Sequence, residues 1–331
     1  MRAPRVAPRS LRPPTPDIKR PTFPLDSRQN LAPGIVLTLL AGVLFAGMDA
    51  LGKHLTGLVP VLQVVWGRYF FQTLFVSGYL AATSGTSFLK PRRPVLQVLR
   101  GFAILAATIC MYEALAFVPL ADATAVLFFA PILVTLFSVA FLGERIGIHR
   151  IAAVLAGFGG MLLILRPGFS DIHPALVLVL VAAVFNATYL LLTRRLAGTE
   201  DAAATQFNTT AVGAAVMTLV VLPTWETPSP LGFALLAAAG GAGSLGHFIL
   251  VKAFASAPAS LLSPFLYSQV IAAGLLSVLL FGDALRATTL VGTAILVLSG
   301  LYIWKRENRR ILASPAAVVG PRVETPRETT R

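Results

Sequence analysis

Charge is scarce in this chain. Only 12% of its 331 residues are Asp, Glu, Lys or Arg, while 56% are hydrophobic and the mean hydropathy is +0.78. An ordinary soluble domain carries about 25% charged residues, so the composition excludes one and points to an all-α polytopic membrane protein. Acidic residues are the scarcer sign, 14 against 27 basic, for a formal net charge of +13. In a membrane protein such an excess reads as basic loops on the cytoplasmic side before it reads as nucleic-acid binding. The single cysteine, Cys110, excludes an internal disulfide. Four histidines, His54, His149, His173 and His247, form no H-E-x-x-H, and neither Cys/His metal spacing nor a Gly-Lys phosphate loop is present. No cofactor, metal or nucleotide is therefore expected, which argues against an ATP-driven pump. "AGSLGH" (242–247) has Ala where a nucleophile elbow has Gly, and it lies in an apolar run rather than at a strand–turn–helix junction. An intramembrane enzyme thus lacks its constellation, and a channel lacks a repeated selectivity-filter segment.

What the chain has in abundance is apolar runs of membrane length. A hydrocarbon core about 30 Å thick takes about 20 helical residues. Ten runs fit: 34–54, 60–82, 97–118, 120–142, 149–166, 174–193, 203–223, 231–253, 258–281 and 287–304. Residues 1–33 are rich in Arg and Pro and lack a signal-peptide apolar core, so they read as a disordered tail, as does the polar stretch 305–331. Ten spans put both tails on one side. With the tails inside, 22 Lys and Arg lie on the cytoplasmic side and three (Lys53, Arg166, Arg286) outside, while Arg68 and Arg100 fall within spans. That bias orients the chain with both termini cytoplasmic. Trp66, Trp225 and Trp304 near span ends suit aromatic belts.

The two halves resemble each other. Residues 116–144 lie over 255–283 without a gap, so that Pro119 meets Pro258, Phe128 meets Tyr267, Gly143 meets Gly282 and Glu144 meets Asp283. "AGVLFAGMDALGKHLTG" (41–57) lies over "AAVFNATYLLLTRRLAG" (182–198) in the same manner. Each half (34–166 and 174–304) then holds five spans, and an odd number inverts the second half relative to the first. Inverted repeats with a binding site at their interface are the architecture of many secondary transporters. This arrangement, with the "LGE" and "FGD" endings at 142–144 and 281–283, resembles the drug/metabolite transporter superfamily, specifically its EamA-type members. The resemblance covers residues 34–304. It implies a carrier of small metabolites in the bacterial cytoplasmic membrane, a cavity made by spans one to four and six to nine, and a homodimer through spans five and ten. "MDALGKHL" followed by "PVLQVVWGRYFF" further resembles bacterial S-adenosylmethionine uptake carriers.

Charges inside the spans mark the candidate site. An ionised side chain facing lipid costs at least about 2.5–3.5 kcal/mol near the bilayer centre. From the span directions and a rise of 1.5 Å per residue, Asp49 and Glu113 lie about 8 Å and Arg68 about 12 Å below the outer surface. All three therefore reach similar depths on neighbouring spans and are expected to line a polar cavity. Alternatives stand beside this. Lys53 either pairs with Asp49, four residues earlier, or snorkels outward. Asp49 and Arg68 either lock two helices or leave Arg68 for an anionic substrate group. Glu113 either attracts a cation, carries a proton or partners Arg68. Arg100 is expected to snorkel to the cytoplasmic face. His247 is either structural or a proton relay. Asn186, Asn208, Ser268 and Gln269 supply uncharged polar groups. Trp66, Tyr69, Tyr112, Phe128, Phe129, Tyr189 and Tyr267 either wall a pocket or simply pack. Pro131 and Pro264 are expected to interrupt spans four and nine, and "GFGG" (157–160) and "GGAGSLG" (240–246) to permit close helix packing. The expected partners are a small-molecule substrate and the lipid bilayer.

Overall fold

The computed structural model describes residues 31–142, 147–165, 173–196, 199–256 and 262–312. Eleven helices carry these residues: α1 (Leu31–Leu55), α2 (Val61–Ser84), α3 (Pro94–Leu115), α4 (Leu120–Leu127), α5 (Ala130–Leu142), α6 (Ile148–Leu165), α7 (Ala175–Leu196), α8 (Ala202–Val221), α9 (Pro230–Ser256), α10 (Ser268–Phe281) and α11 (Ala287–Leu312). No strand occurs among the described residues. The paired motif ending Gly143–Glu144, the start at Pro258 and most of both tails lie outside the described residues. α11 runs to Leu312, past the expected end of the last span at residue 304.

Prolines set several helix starts. Pro60 and Pro119 sit just before α2 and α4 with extended backbones, and Pro94 opens α3, where its missing N–H leaves nothing unpaired. Pro131 divides the fourth span as expected. α4 ends at Leu127, α5 begins at Ala130, and the amides of Ile132 and Leu133 both donate to the Phe129 carbonyl. A proline ring clashes with the carbonyl four residues earlier, so an unbroken helix cannot pass through Pro131. Pro264 lies in a 3-10 turn (Ser263–Tyr267) that leads into α10.

Among the described residues, eight helical segments are long and apolar enough to cross a bilayer, against the ten expected from the sequence. The fifth expected span is short, its apolar part covering only Ile151–Leu165. α2 has the length, 24 residues, but carries Gln63, Arg68 and Gln72 and is not among the eight. The outward surface is apolar: Leu279 is 76% exposed, Val95 and Leu219 71%, and Leu298 65%. Side chains of that kind suit lipid.

The helices interlock across the halves. α1 packs along α9 and α10, α3 along α7 and α8, α2 along α8 and α9, α5 on α7, α4 on α10, and α6 on α11. Exchanging the halves maps α1–α9 onto α3–α7, α2–α9 onto α3–α8, and α1–α10 onto the α4/α5–α7 contact. The α2–α8, α4–α10 and α6–α11 contacts map onto themselves. Small residues make these contacts close, with Ala41, Ala46, Ala182, Ala183, Ala187 and Ala273 fully buried. The expected tight packing of "GFGG" is used within the chain. A Cβ on Gly160 would lie 2.8 Å from the Gly292 carbonyl oxygen, so α6 and α11 touch backbone to backbone.

At one end of the bundle a polar knot joins the halves. Gly282 ends α10 with a left-handed backbone (φ 66°), which a side chain would resist. The turn brings Asp283 back so that it accepts from Ser277 Oγ at 2.6 Å and meets Lys53 Nζ at 3.9 Å. Lys53 also donates to the Val118 carbonyl, and the Ala121 amide donates to Ser277 Oγ. Asp122 accepts from Thr289 Oγ1 at 2.6 Å. Lys53 thus reaches Asp283 rather than its helix neighbour Asp49, and this motif acts as a joint. At another joint the Glu200 carboxylate accepts the backbone N–H groups of Arg92 and Arg93 beside the start of α3.

Gly160→Ala should destabilise the protein by about 1–3 kcal/mol through overpacking, while Gly159→Ala, whose Cβ meets nothing within 4 Å, should not. Denaturant unfolding in detergent micelles measures both; equal stability of the two variants would contradict the backbone contact.

Candidate substrate cavity

A cavity of about 300 Å³ lies where the two halves meet. Helical stripes build its wall: Phe45, Met48 and Asp49 of α1; Arg68, Tyr69 and Gln72 of α2; Ile104, Ala107, Thr108 and Met111 of α3; and Asn186, Tyr189 and Leu190 of α7. Spacings of three and four residues put each set on one helix face. Leu127, Phe128 and Pro131 come from the broken fourth span, Thr209 and Thr210 from α8, His247 and Leu250 from α9, and Leu266 and Gln269 from the turn and α10.

The lining follows the repeat. Phe45, Met48 and Asp49 take the places that Asn186, Tyr189 and Leu190 take in the second half. Arg68 and Tyr69 match Thr209 and Thr210, Thr108 and Met111 match His247 and Leu250, and Leu127 matches Leu266. Position is conserved between the halves of this chain while charge is not. Asp49 and Arg68 face Leu190 and Thr209 as counterparts.

Of the residues singled out from the sequence, Asp49, Arg68, Tyr69, Asn186, Tyr189, His247 and Gln269 come together in the cavity. Asp49 is 5% exposed and accepts a hydrogen bond from Gln269 Nε2 at 3.1 Å. No ion pair or hydrogen bond joins Asp49 to Arg68 among the described residues. The Arg68 guanidinium carbon lies 5.7 Å from the Tyr69 ring and 5.4 Å from the Tyr112 ring, within cation–π reach. Among the described residues, Arg68 Nε is buried with no hydrogen-bond partner. The Tyr69 hydroxyl bonds to Thr108 Oγ1 at 2.9 Å, and His247 leans on Phe45 at 4.9 Å.

Four expected lining residues lie elsewhere. Glu113 is half-buried and off the cavity. At 100° per residue it is turned about 180° from Ile104, which lines the wall, so its depth is suitable but its face is not. Tyr112 is fully buried behind Arg68, its hydroxyl without a hydrogen-bond partner among the described residues. Trp66 turns to α8, where its indole N–H donates to Thr218 Oγ1 at 3.1 Å and its ring meets Trp225 edge-on. Tyr267 stands behind Phe128, with ring centroids 5.4 Å apart, so two residues matched by the repeat touch each other. Asn208 bonds to the Ala204 carbonyl, and Ser268 to that of Leu39.

Arg100 does not snorkel. It is 3% exposed and held by neutral groups: Nε donates to Thr193 Oγ1 at 2.7 Å, Nη1 to Gln97 Oε1 and the Thr205 carbonyl at 3.1 Å each, and Nη2 to the Tyr189 hydroxyl at 3.2 Å. These partners on α3, α7 and α8 replace the water that snorkelling would seek. Gln72, Thr209 and Thr210 were not singled out from the sequence. Gln72 follows Arg68 by four residues, which places it on the same face and was the available signal.

Residues 32–166 and again 173–304 match the model of the EamA-like transporter family. The chain belongs to the EamA-like transporter family. It is a multi-pass membrane transporter. An S-adenosylmethionine uptake transporter from Rickettsia felis is 27% identical over 284 residues, which cover 86% of this chain and 96% of that protein. A riboflavin transporter from Vibrio cholerae is 28% identical, covering 84% and 94%. A pseudopaline exporter from Pseudomonas aeruginosa is 28% identical, covering 81% and 95%. A solved crystal structure, 22% identical, superposes with a TM-score of 0.58 over 85% of this chain and 99% of that one, a likeness of fold alone.

In this EamA transporter the Arg100 cluster is a structural element beside the cavity. Arg100→Met should strand the acceptors and hydroxyls on α3, α7 and α8 and cost about 1–3 kcal/mol. Thermal unfolding in detergent reads this, and an unchanged midpoint would refute a structural role.

Proposed function

We propose that the transporter is a secondary carrier that moves a small metabolite across the bacterial cytoplasmic membrane by alternating access. The observation that carries this reading is the cavity, lined from both halves at matching positions. Such a site lets two rigid halves rock around one bound molecule. In this reading α2 and α6 also cross the bilayer, giving ten spans in two inverted groups of five. α2 falls short in hydropathy because it carries part of the polar wall. Both termini lie in the cytoplasm, in line with the 22-to-3 distribution of Lys and Arg. A proton or a counter-substrate supplies the driving force.

A second reading names the cargo: S-adenosylmethionine or a related cationic metabolite, taken up. Asp49 in the cavity favours a positively charged group, and relatives that carry this name match nearly end to end.

Arg68→Ala should abolish substrate exchange in proteoliposomes while leaving membrane insertion and detergent-phase stability intact; a variant that instead fails to fold would make Arg68 a structural lock. A fluorescent protein fused to the C-terminus should glow, and alkaline phosphatase fused there should stay inactive. The opposite pattern would invert the proposed orientation.

A further inference from the structure

Where α3 starts and α7 ends, both nearby carboxylates are spent on backbone amides. Glu200 accepts the N–H groups of Arg92 and Arg93, and Asp201 caps α8 by accepting from the Ala203 amide at 3.1 Å. Around them stand Lys90, Arg92 and Arg93 of the α2–α3 loop and Arg194 and Arg195 of α7, all exposed. Among the described residues none of these five cations forms an ion pair. Five cations against two carboxylates leave an excess of three positive charges on this face.

The two groups of cations come from opposite halves and are held side by side. Arg100, near the start of α3, donates to Thr193 Oγ1 at 2.7 Å, and Thr193 immediately precedes Arg194. The Glu200 amide bonds to the Leu196 carbonyl at the end of α7, while its carboxylate holds the amides of Arg92 and Arg93. Phe88 is buried with its ring 4.9 Å from that of Phe207, which pins the loop carrying Lys90, Arg92 and Arg93 to α8. None of these contacts uses the five cationic heads. Next to the arginines, Val95, Leu99 and Phe102 are exposed. Spacings of four and three residues put them on one face of α3, a stripe that leads from Arg93 into the span. A soluble anion has no use for such a stripe. A molecule with an anionic head and hydrocarbon chains fits both parts.

We propose that this face binds an anionic phospholipid. Its phosphate bridges Arg92 and Arg93 of one half to Arg194 and Arg195 of the other, and its acyl chains lie along Val95, Leu99 and Phe102. Guanidinium groups match phosphate with paired donors, and basic residues at a membrane surface attract acidic headgroups. The site lies apart from the cavity and adds to the carrier reading. Only the leaflet, the cytoplasmic one, rests on the proposed orientation; binding in detergent does not. A lipid held there ties the two halves together at one end of the bundle.

Native mass spectrometry of the full-length protein in a non-ionic detergent reads the binding, with phosphatidylglycerol and phosphatidylcholine of identical chains as probes. Phosphatidylglycerol should bind at least about tenfold tighter, since several cations meet it and each one near a membrane surface is worth about fivefold. Arg92→Gln with Arg93→Gln, and Arg194→Gln with Arg195→Gln, should each cut that preference at least about fivefold. Lys252→Gln with Lys305→Gln removes as much charge from exposed positions elsewhere and should leave the preference intact. Thermal melting without added lipid should be the same in the two arginine double variants as in the natural protein, and the rise that phosphatidylglycerol gives the natural protein should be lost in both. A fall in the lipid-free midpoint would instead give these arginines a structural role. The proposal is overturned if the two lipids bind alike, or if all three double variants lose the preference equally. It is also overturned if only one arginine pair matters, which would leave a contact with one half alone. Glycerol 3-phosphate binding as tightly as the lipid would replace it with a soluble-anion site. A C-terminus found outside by the fusions would sink the orientation and shift the site to the other leaflet, with the binding result still deciding whether the site exists.

Discussion

Hydrocarbon supplies neither donors nor acceptors, so a polar side chain carried into the bilayer must find its partner within the protein. The arrangement of the helices follows from this need as much as from the apolar runs. Arg100 draws α3 toward α7 and α8, while Gln63 donates to the Glu226 carbonyl and accepts from the Glu226 amide, tying the start of α2 to the segment after α8. Lys53 and Asp283 tie the end of α1 to the end of α10. Each of these links joins one half to the other. Apolar contact between helices in lipid supplies little net driving force, so such links and the close alanine and glycine contacts carry much of the specificity.

Against that background the cavity is the exception. Hydrogen bonds hold Tyr69, Thr108, Gln269 and Arg100 beside it, yet among the described residues Arg68 Nε and the Tyr112 hydroxyl have no partner. The framework is shared between the halves position by position, and the side chains break the equivalence. A scaffold built from two matching halves therefore presents an asymmetric surface to what it binds. Separating the two properties lets one architecture serve different cargoes, in keeping with relatives named for S-adenosylmethionine, riboflavin and pseudopaline.

Much of the fold was legible because the bilayer imposes simple rules. Apolar run length gave the helices, Pro131 gave the division between α4 and α5, and the matched segments anticipated the contact between Phe128 and Tyr267. A level along each helix could be assigned as well, since it needs only a helix rise, and Asp49 and Arg68 do reach one cavity. Azimuth could not. Glu113 and Asp49 were placed at the same depth, but the rotation of α3 turns Glu113 away and gives the wall to Ile104, Thr108 and Met111. Lys53 beside Asp49 suggested a pair along one helix, yet the turn at Gly282 delivers Asp283 from a distant part of the chain. Arg100 lies near a span end, where water is usually within reach, and nothing local shows that Thr193, Tyr189 and Thr205 converge on it. Polarity inside α2 marked a site and at the same time lowered its hydropathy below that of the other spans.

The cross-half packing bears on how the protein is made. α1, α2 and α3 have their main neighbours among α7 to α10, all of which are synthesised later. As the ribosome delivers the first helices, Arg100 lacks Thr193, Tyr189 and Thr205, Lys53 lacks Asp283, and the Ala-rich faces have nothing to close upon. Neither half has a complete interior of its own. The cross-half contacts can therefore close only once the second half has emerged, so the interior is completed late rather than by the docking of two finished units.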